Sequence, residues 1–393
     1  MKRNIKNWLF GITAGMLSIA FAGCEKDSGD ESVDNDATYK AILQEYVNAT
    51  TIPTYRALAE AALNMRAANE ALKSGQSAVT IRAAADAWVQ ARIYWEQSEA
   101  FLFGPVSEDA FDIDGHIDSW PLEKSAIDAV LANEASGLTS ESCWRKDAEE
   151  IGFHVTEYLL FRDGQPRASL SNAELKYLTA ATDALIWDCV LAYVAWAGEA
   201  NVSQNIRTVF RENQDIVDFY EENTAYHNFG DKLKNATGNY SSVAEAFGEI
   251  ASGCADIADE VGATKIESPF ATHKVEEVES WYSWHSLADY EGNIVSIRNA
   301  YFGGRDTGAP KTNSLSAFVA GKNSDLDNRI KAKIEDAIAK IRAIGNYNAA
   351  TGTYQYSFYE VVRDQIRGEQ VEAAVEACTD LSTLFKQIDN LID

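Results

Sequence analysis

Only six prolines interrupt this 393-residue chain, and that scarcity constrains its fold more than any other feature. Pro105, Pro121, Pro166, Pro269 and Pro310 fall where helices are expected to stop. Pro53 sits inside a helix-like stretch, which it should kink or split. Between these breaks run long segments rich in Ala, Leu, Glu and Lys, which favour helix. The apolar spacing agrees. Leu175, Leu178, Thr182, Leu185, Cys189, Ala192 and Trp196 recur at intervals of three and four, as do Trp144, Ala148, Ile151, Val155 and Tyr158. Strand-like alternation is hard to find anywhere. The expected class is all-α, with two helical bundles packed together. One bundle is expected over residues 37–200 and the other over 201–393, divided where residues 201–204 break the pattern.

Lys2, Arg3 and Lys6 precede an apolar, uncharged run from Trp8 to Ala22, the layout of a secretory signal. That run is too short to remain in a bilayer comfortably as a permanent helix. Phe21-Ala22-Gly23-Cys24 resembles a lipobox, in which the Cys becomes the lipidated first residue of the mature chain. The alternative is an ordinary signal with an incidental Cys. Residues 1–23 are therefore expected to be a signal peptide and 24–36 a lipidated acidic tether without core-forming residues. Acidic residues directly behind Cys24 also resemble the surface-export signals of some bacterial lipoproteins. The expected location is the cell envelope, at the outer membrane, either periplasmic or surface-exposed.

Cleavage before Cys24 removes three of the 34 Lys and Arg and none of the 60 Asp and Glu, leaving 31 against 60, a net charge of −29. Such a field repels phosphate backbones and attracts cations, which excludes nucleic acid as a partner. Cys143, Cys189, Cys254 and Cys378 form no CxxC pair, so a zinc ribbon is excluded. Export permits disulfides between them; buried free thiols are the equal alternative.

Several polar residues stand where packing alone would place apolar ones. On a helix expected over 77–103, one face reads Ile81, Ala85, Trp88, Arg92, Trp95, Glu99, Leu102. A charge buried among tryptophans needs a partner or a metal, and Glu96, one turn from Arg92, offers a purely structural ion pair. A second helix holds Gly152, His154 and Glu157. The last two are neighbours on one face and make a workable pair of metal ligands. A hydrogen-bonded core histidine is the plainer reading. The acidic segment Asp109, Asp112, Asp114, His116, Asp118 reads largely as a solvated loop, except that Ile117 and Trp120-Pro121 suggest that Asp118 is pinned. Trp281, Trp284 and His285 are expected to share one helix with Asp289 and Asn293. The face formed by His285, Asp289 and Asn293 suits either a site or the cap of an aromatic core.

Taken together, these segments resemble the imelysin-like family of exported bacterial proteins. Gly152, His154 and Glu157 match its GxHxxE motif. Trp88 to Arg92, Ser98 to Pro105, and Ile117 to Pro121 resemble its N-terminal block. Ser268-Pro269-Phe270, Ser286 to Asp289, and Asn299 to Gly303 resemble its C-terminal block. The likeness spans residues 37–390. It implies two helical bundles with the GxHxxE site near their junction, where Arg92, Glu99 and Asp118 gather around His154 and Glu157. It also implies two competing functions, a zinc-type peptidase and a protein of iron uptake.

The residues themselves weigh three functions. A metallopeptidase needs a metal, a water and a carboxylate base. The chain has no HExxH motif, so Glu99 or Asp118 would have to act as base from a distance. Binding without turnover asks for less, since one imidazole and two or three carboxylates suit iron or zinc. A ferritin-like di-metal centre would need Glu-x-x-His on two helices, whereas the order here is His-x-x-Glu. The third function is a tethered interaction module with a closed, metal-free site. The favoured expectation is a lipoprotein that takes part in metal acquisition by binding a divalent metal, iron or zinc, as the ion or a small metal complex. His154, Glu157 and Glu99 would be its ligands. Arg92, Asp118, Gly152, His285, Asp289 and Asn293 would line the site. Its partners would be the metal, the membrane through Cys24, and transport proteins of the envelope.

Overall fold

In the computed structural model, which describes residues 35–107 and 110–392, the proline-free stretches are helices and the only strands among the described residues form two short hairpins. The helices that frame the molecule are α1 (Asp36–Tyr46), α2 (Ile52–Ser74), α3 (Ala78–Glu96), α4 (Gly152–Leu160) and α5 (Asn172–Ala197). They continue with α6 (Val243–Glu260), α7 (Ser286–Phe302), α8 (Ser324–Ile344) and α9 (Gly368–Lys386). Cys24 and the segments expected as signal and tether, up to Asp34, lie outside the described residues, as does Asp109.

Helix starts are written locally. Ser171 accepts the Glu174 N–H while the Glu174 carboxylate accepts the Ser171 N–H, closing a capping box at the head of α5. Ser77 and Thr80 do the same for α3. Helix α5 is buried on nearly every face rather than along one stripe, because α2, α4 and several shorter helices pack on it. It is long and apolar enough to cross a bilayer, yet 89% of its most apolar window is buried, so it serves as the central post of a bundle. Trp196 stacks on Tyr55 of α2 with ring centroids 5.8 Å apart.

Helices α2, α3, α4 and α5 pack together, and α6, α7, α8 and α9 form a second set of neighbours. Helix α1 packs on α6, with Tyr39 stacked on Phe247 at 4.4 Å. Helix α7 also packs against α3, and that contact brings residues nearly 200 positions apart into one site.

Several elements differ from the sequence expectation. Pro53 lies at the head of α2, after the wide π-type turn Val47–Thr51, so helical winding continues from α1 into α2. Pro269 is likewise no stop, because the π-type turn Val261–Glu267 carries α6 into the helix Ser268–Thr272. A turn with i→i+5 spacing moves the carbonyl that a proline ring would otherwise strike. Helix α3 ends at Glu96, and Glu99 stands in the separate 3-10 turn Glu99–Phe101. Ser98 ends the helix by donating both its N–H and its hydroxyl to the Trp95 carbonyl. The stripe from Trp144 to Tyr158 is broken at Gly152, whose φ of +78° lets the chain turn into α4. A Cβ there would lie 2.4 Å from the Ile117 carbonyl oxygen, so only glycine fits. Trp281, Trp284 and His285 precede α7 rather than belonging to it, and Ser280 and Trp284 take positive φ in the turn.

Candidate metal centre

Helix α3 directs Arg92 inward beside Trp88 and Trp95, and the side chain is fully buried. Its Nε lies 2.6 Å from Glu96 and 3.3 Å from Asp289, and its Nη2 lies 3.6 Å from Glu279. Nη1 is paired with Asp118. The guanidinium also stands 5.4 Å from the centre of the Phe153 ring. The structural pair with Glu96 is therefore present, inside a cluster of four carboxylates that only the fold assembles.

Asp118 follows the short helix Ile113–Ile117 and is pinned by the Trp95 indole N–H, which donates to its Oδ2 at 2.6 Å. The loop before it is not simply solvated. His116 is buried, 2.6 Å from Asp188 and 2.9 Å from the Trp144 carbonyl.

His154 on α4 is 1% exposed. Its Nδ1 donates to Glu157 Oε2 at 3.3 Å, while Glu157 Oε1 accepts the Ser283 N–H and hydroxyl, both at 2.8 Å. Glu157 thus stands behind the imidazole and fixes its orientation. Nε2 points the other way, 3.1 Å from Asp118 Oδ1 and 3.7 Å from Glu279 Oε1, with no partner at hydrogen-bonding angles. Trp120 covers the ring edge-on at 4.8 Å.

Burial opposes every charge here, and neighbours decide the outcome. Burial raises the Asp118 carboxyl, but Arg92 and His154 outweigh it and hold it well below the usual range. Glu279 is likewise drawn down to about 2 against burial, by Lys265 and His154. Burial would lower His154, yet Asp118, Glu157 and Glu279 raise it well above an ordinary histidine. Glu99 goes the other way, because burial raises it far more than Lys265 lowers it.

A cavity of about 340 Å³ opens beside the cluster, bordered by Glu99, Asp114, Asp118, Trp120, Lys265 and Glu279. Glu99 is 7% exposed and faces this space. The cavity reaches Asp118 and Glu279 but does not touch His154 itself.

The fold brings Arg92, Asp118, His154, Glu157, Asp289 and Asn293 together; Asn293 donates to Glu96 at 2.5 Å. Gly152 supplies the turn that seats His154. Glu99 is not grouped with the imidazole; it forms a second set with Glu96 and Asp118, whose carboxylate oxygens lie within 4.8 Å of one another and could also hold a metal. His285 stands apart, with its ring 6.0 Å from Trp88 and its Nδ1 3.2 Å from the Ser283 carbonyl. Glu279 and Lys265 are absent from the sequence reading. Lys265 had a signal, since it continues the buried spacing Cys254, Ala258, Val261. Glu279 had none among its neighbours Glu276 and Glu277.

The donor set fits a metal ion. His154, Asp118 and Glu279 each present one ligand atom, all within 4.8 Å of one another. One nitrogen and two oxygens suit zinc or iron. The buried Nε2 without a well-formed hydrogen bond is the atom that such an ion would satisfy.

The family model for imelysin, an M75 peptidase, matches residues 51–388. Iron-regulated protein A of Synechococcus elongatus is 27% identical over 266 residues, 68% of this chain. The match spans 65% of that curated relative's length. A solved structure from Parabacteroides distasonis, provisionally assigned as an iron-regulated protein A precursor, shares 30% identity at a TM-score of 0.74. It covers 91% of this chain and 96% of its own. An imelysin-like protein from Psychrobacter arcticum has the same fold at 16% identity and a TM-score of 0.61, covering 89% and 94%.

Proposed function

As the chain belongs to the imelysin family, we propose that it is an envelope lipoprotein, anchored through Cys24 to the outer membrane, that binds an iron or zinc ion without turnover in metal acquisition. His154, Asp118 and Glu279 hold the ion, Glu157 orients the imidazole, and Arg92 neutralises the surrounding carboxylates. The observation that carries this reading is the His154 ring. Its Nδ1 is committed to Glu157, and its buried Nε2 is aimed between two carboxylate oxygens. A metal-free interaction module would satisfy His154 fully and leave no cavity beside it; Nε2 lacks a well-formed hydrogen bond, while the cavity borders Asp118 and Glu279 without touching His154. The names of the iron-regulated relatives agree with a role in iron handling.

The test is elemental analysis of the mature, untagged protein purified without chelators, beside His154→Ala. Stoichiometric iron or zinc in the parent and its loss from a folded His154→Ala is the expected result. Equal metal in both, or none in the parent after exposure to Fe²⁺ and Zn²⁺, would sink the reading.

One observation favours the peptidase alternative. Glu99 is buried on the cavity wall and its carboxyl is raised by burial, as suits a general base better than the strongly paired Asp118. Metal-dependent peptide cleavage abolished by Glu99→Gln, with the metal retained, would establish it.

A further inference from the structure

Among the described residues, Lys265 is the one cationic side chain on the wall of the acidic cavity. It stands on the wide turn Val261–Glu267 and is 9% exposed. Its Nζ straddles the Glu279 carboxylate, 3.2 Å from Oε2 and 3.4 Å from Oε1. On its other side, 3.6 Å away, is Glu260, which is half-exposed at the cavity rim. Glu279, one of the two carboxylates that face His154 Nε2, is therefore also held by this ammonium.

Resting on the reading of His154, Asp118 and Glu279 as metal ligands, we propose that Lys265 is a built-in competitor for the metal, an ammonium that occupies Glu279 in the metal-free protein and moves to Glu260 when a cation binds. Three facts carry this. A carboxylate clasped by an ammonium has fewer lone pairs to offer a metal, and two cations on one carboxylate repel at short range in a poorly screened site. Lysine is a compact charge on a flexible four-carbon stem, so it can withdraw without refolding. A second acceptor, Glu260, already lies within reach on the solvent side. Arg92 cannot play this part, because it is fully buried with carboxylates around it and does not border the cavity. The competitor weakens metal binding to a level that permits release, as a protein that passes metal onward requires.

The experiment titrates Zn²⁺, and Fe²⁺ anaerobically, into parent, Lys265→Met and Lys265→Arg proteins at one pH, against a competing chelator. Lys265→Met should bind at least about tenfold tighter than the parent, and Lys265→Arg should stay near it. The metal-induced rise in Tm should also be larger for Lys265→Met, whose metal-free form lacks the ammonium beside Glu279. If Lys265→Met does not fold, Lys265→Gln gives the same comparison. Metal binding by the parent with equal or weaker binding by the folded variant overturns the competitor and leaves the proposed function standing. Binding by neither protein overturns both.

Discussion

At Arg92 a fully buried guanidinium faces Glu96, Asp118, Glu279 and Asp289, and Glu96 is held in turn by Asn293. Replacing a buried charged pair with apolar groups can be neutral, but removing one partner leaves the others uncompensated. Arg92→Met keeps most of the volume and should cost about 3–5 kcal/mol in urea unfolding at neutral pH. Adding Asp118→Asn to Arg92→Met should recover part of that loss; additive losses would mean that Asp118 and Arg92 do not depend on one another. The pairing of Arg92 with Glu96 was readable from their spacing of four. The other three carboxylates come from the Asp118 loop, the turn before α7 and α7 itself, so no local pattern announces that they meet Arg92.

Where α7 crosses α3, the two backbones approach closely at Gly292, and a Cβ there would lie 2.7 Å from the Glu96 Cβ. This approach places Asp289 against Arg92 and Asn293 against Glu96. Gly292→Ala should push the helices apart, cost about 1–3 kcal/mol and weaken Zn²⁺ binding severalfold, as read by thermal unfolding and metal titration. Gly321→Ala is the matched control. No atom lies near a Cβ at that position, so helix propensity alone should leave stability unchanged or slightly raised. The same scale explains the misplaced helix ends. Periodicity registers which residues are apolar, but Ser98 ends a helix through two hydrogen bonds to one carbonyl and Gly152 starts one through a single φ angle. Pro53 and Pro269 stay within helical runs because wide turns precede them.

Across the whole molecule, Cys143, Cys189, Cys254 and Cys378 are buried and free, each on a different helix. Burial pushes the Cys143 and Cys378 thiols up to about 12, and it raises Cys189 and Cys254 as well. A chain whose interior is filled by aromatic and aliphatic side chains from both sets of helices needs no covalent staple. Four thiols should therefore stay silent to a thiol reagent in the native mature protein without reductant and all react on unfolding. Reductant should leave Tm unchanged. Fewer than four reactive thiols after unfolding would reveal a disulfide.

By itself the sequence determined the helical class and the inward placement of Arg92, His154 and Glu157. Both follow from spacing along one chain, since a period of 3.6 residues makes near neighbours in sequence near neighbours on a helix face. It also singled out Asp118, because Trp120-Pro121 beside it marks a constrained turn. Only the tertiary structure decided that Glu279 rather than Glu157 meets the open nitrogen of His154, that Glu99 turns toward the cavity, and that Lys265 holds Glu279. The physical reason is range. Glu157 and His154 are three residues apart, but Ser283, brought from 126 positions away, binds the Glu157 oxygen and holds it behind the ring. Burial then makes the remaining choices, because a carboxylate removed from water settles on whichever cation the fold brings to it, at whatever distance in sequence.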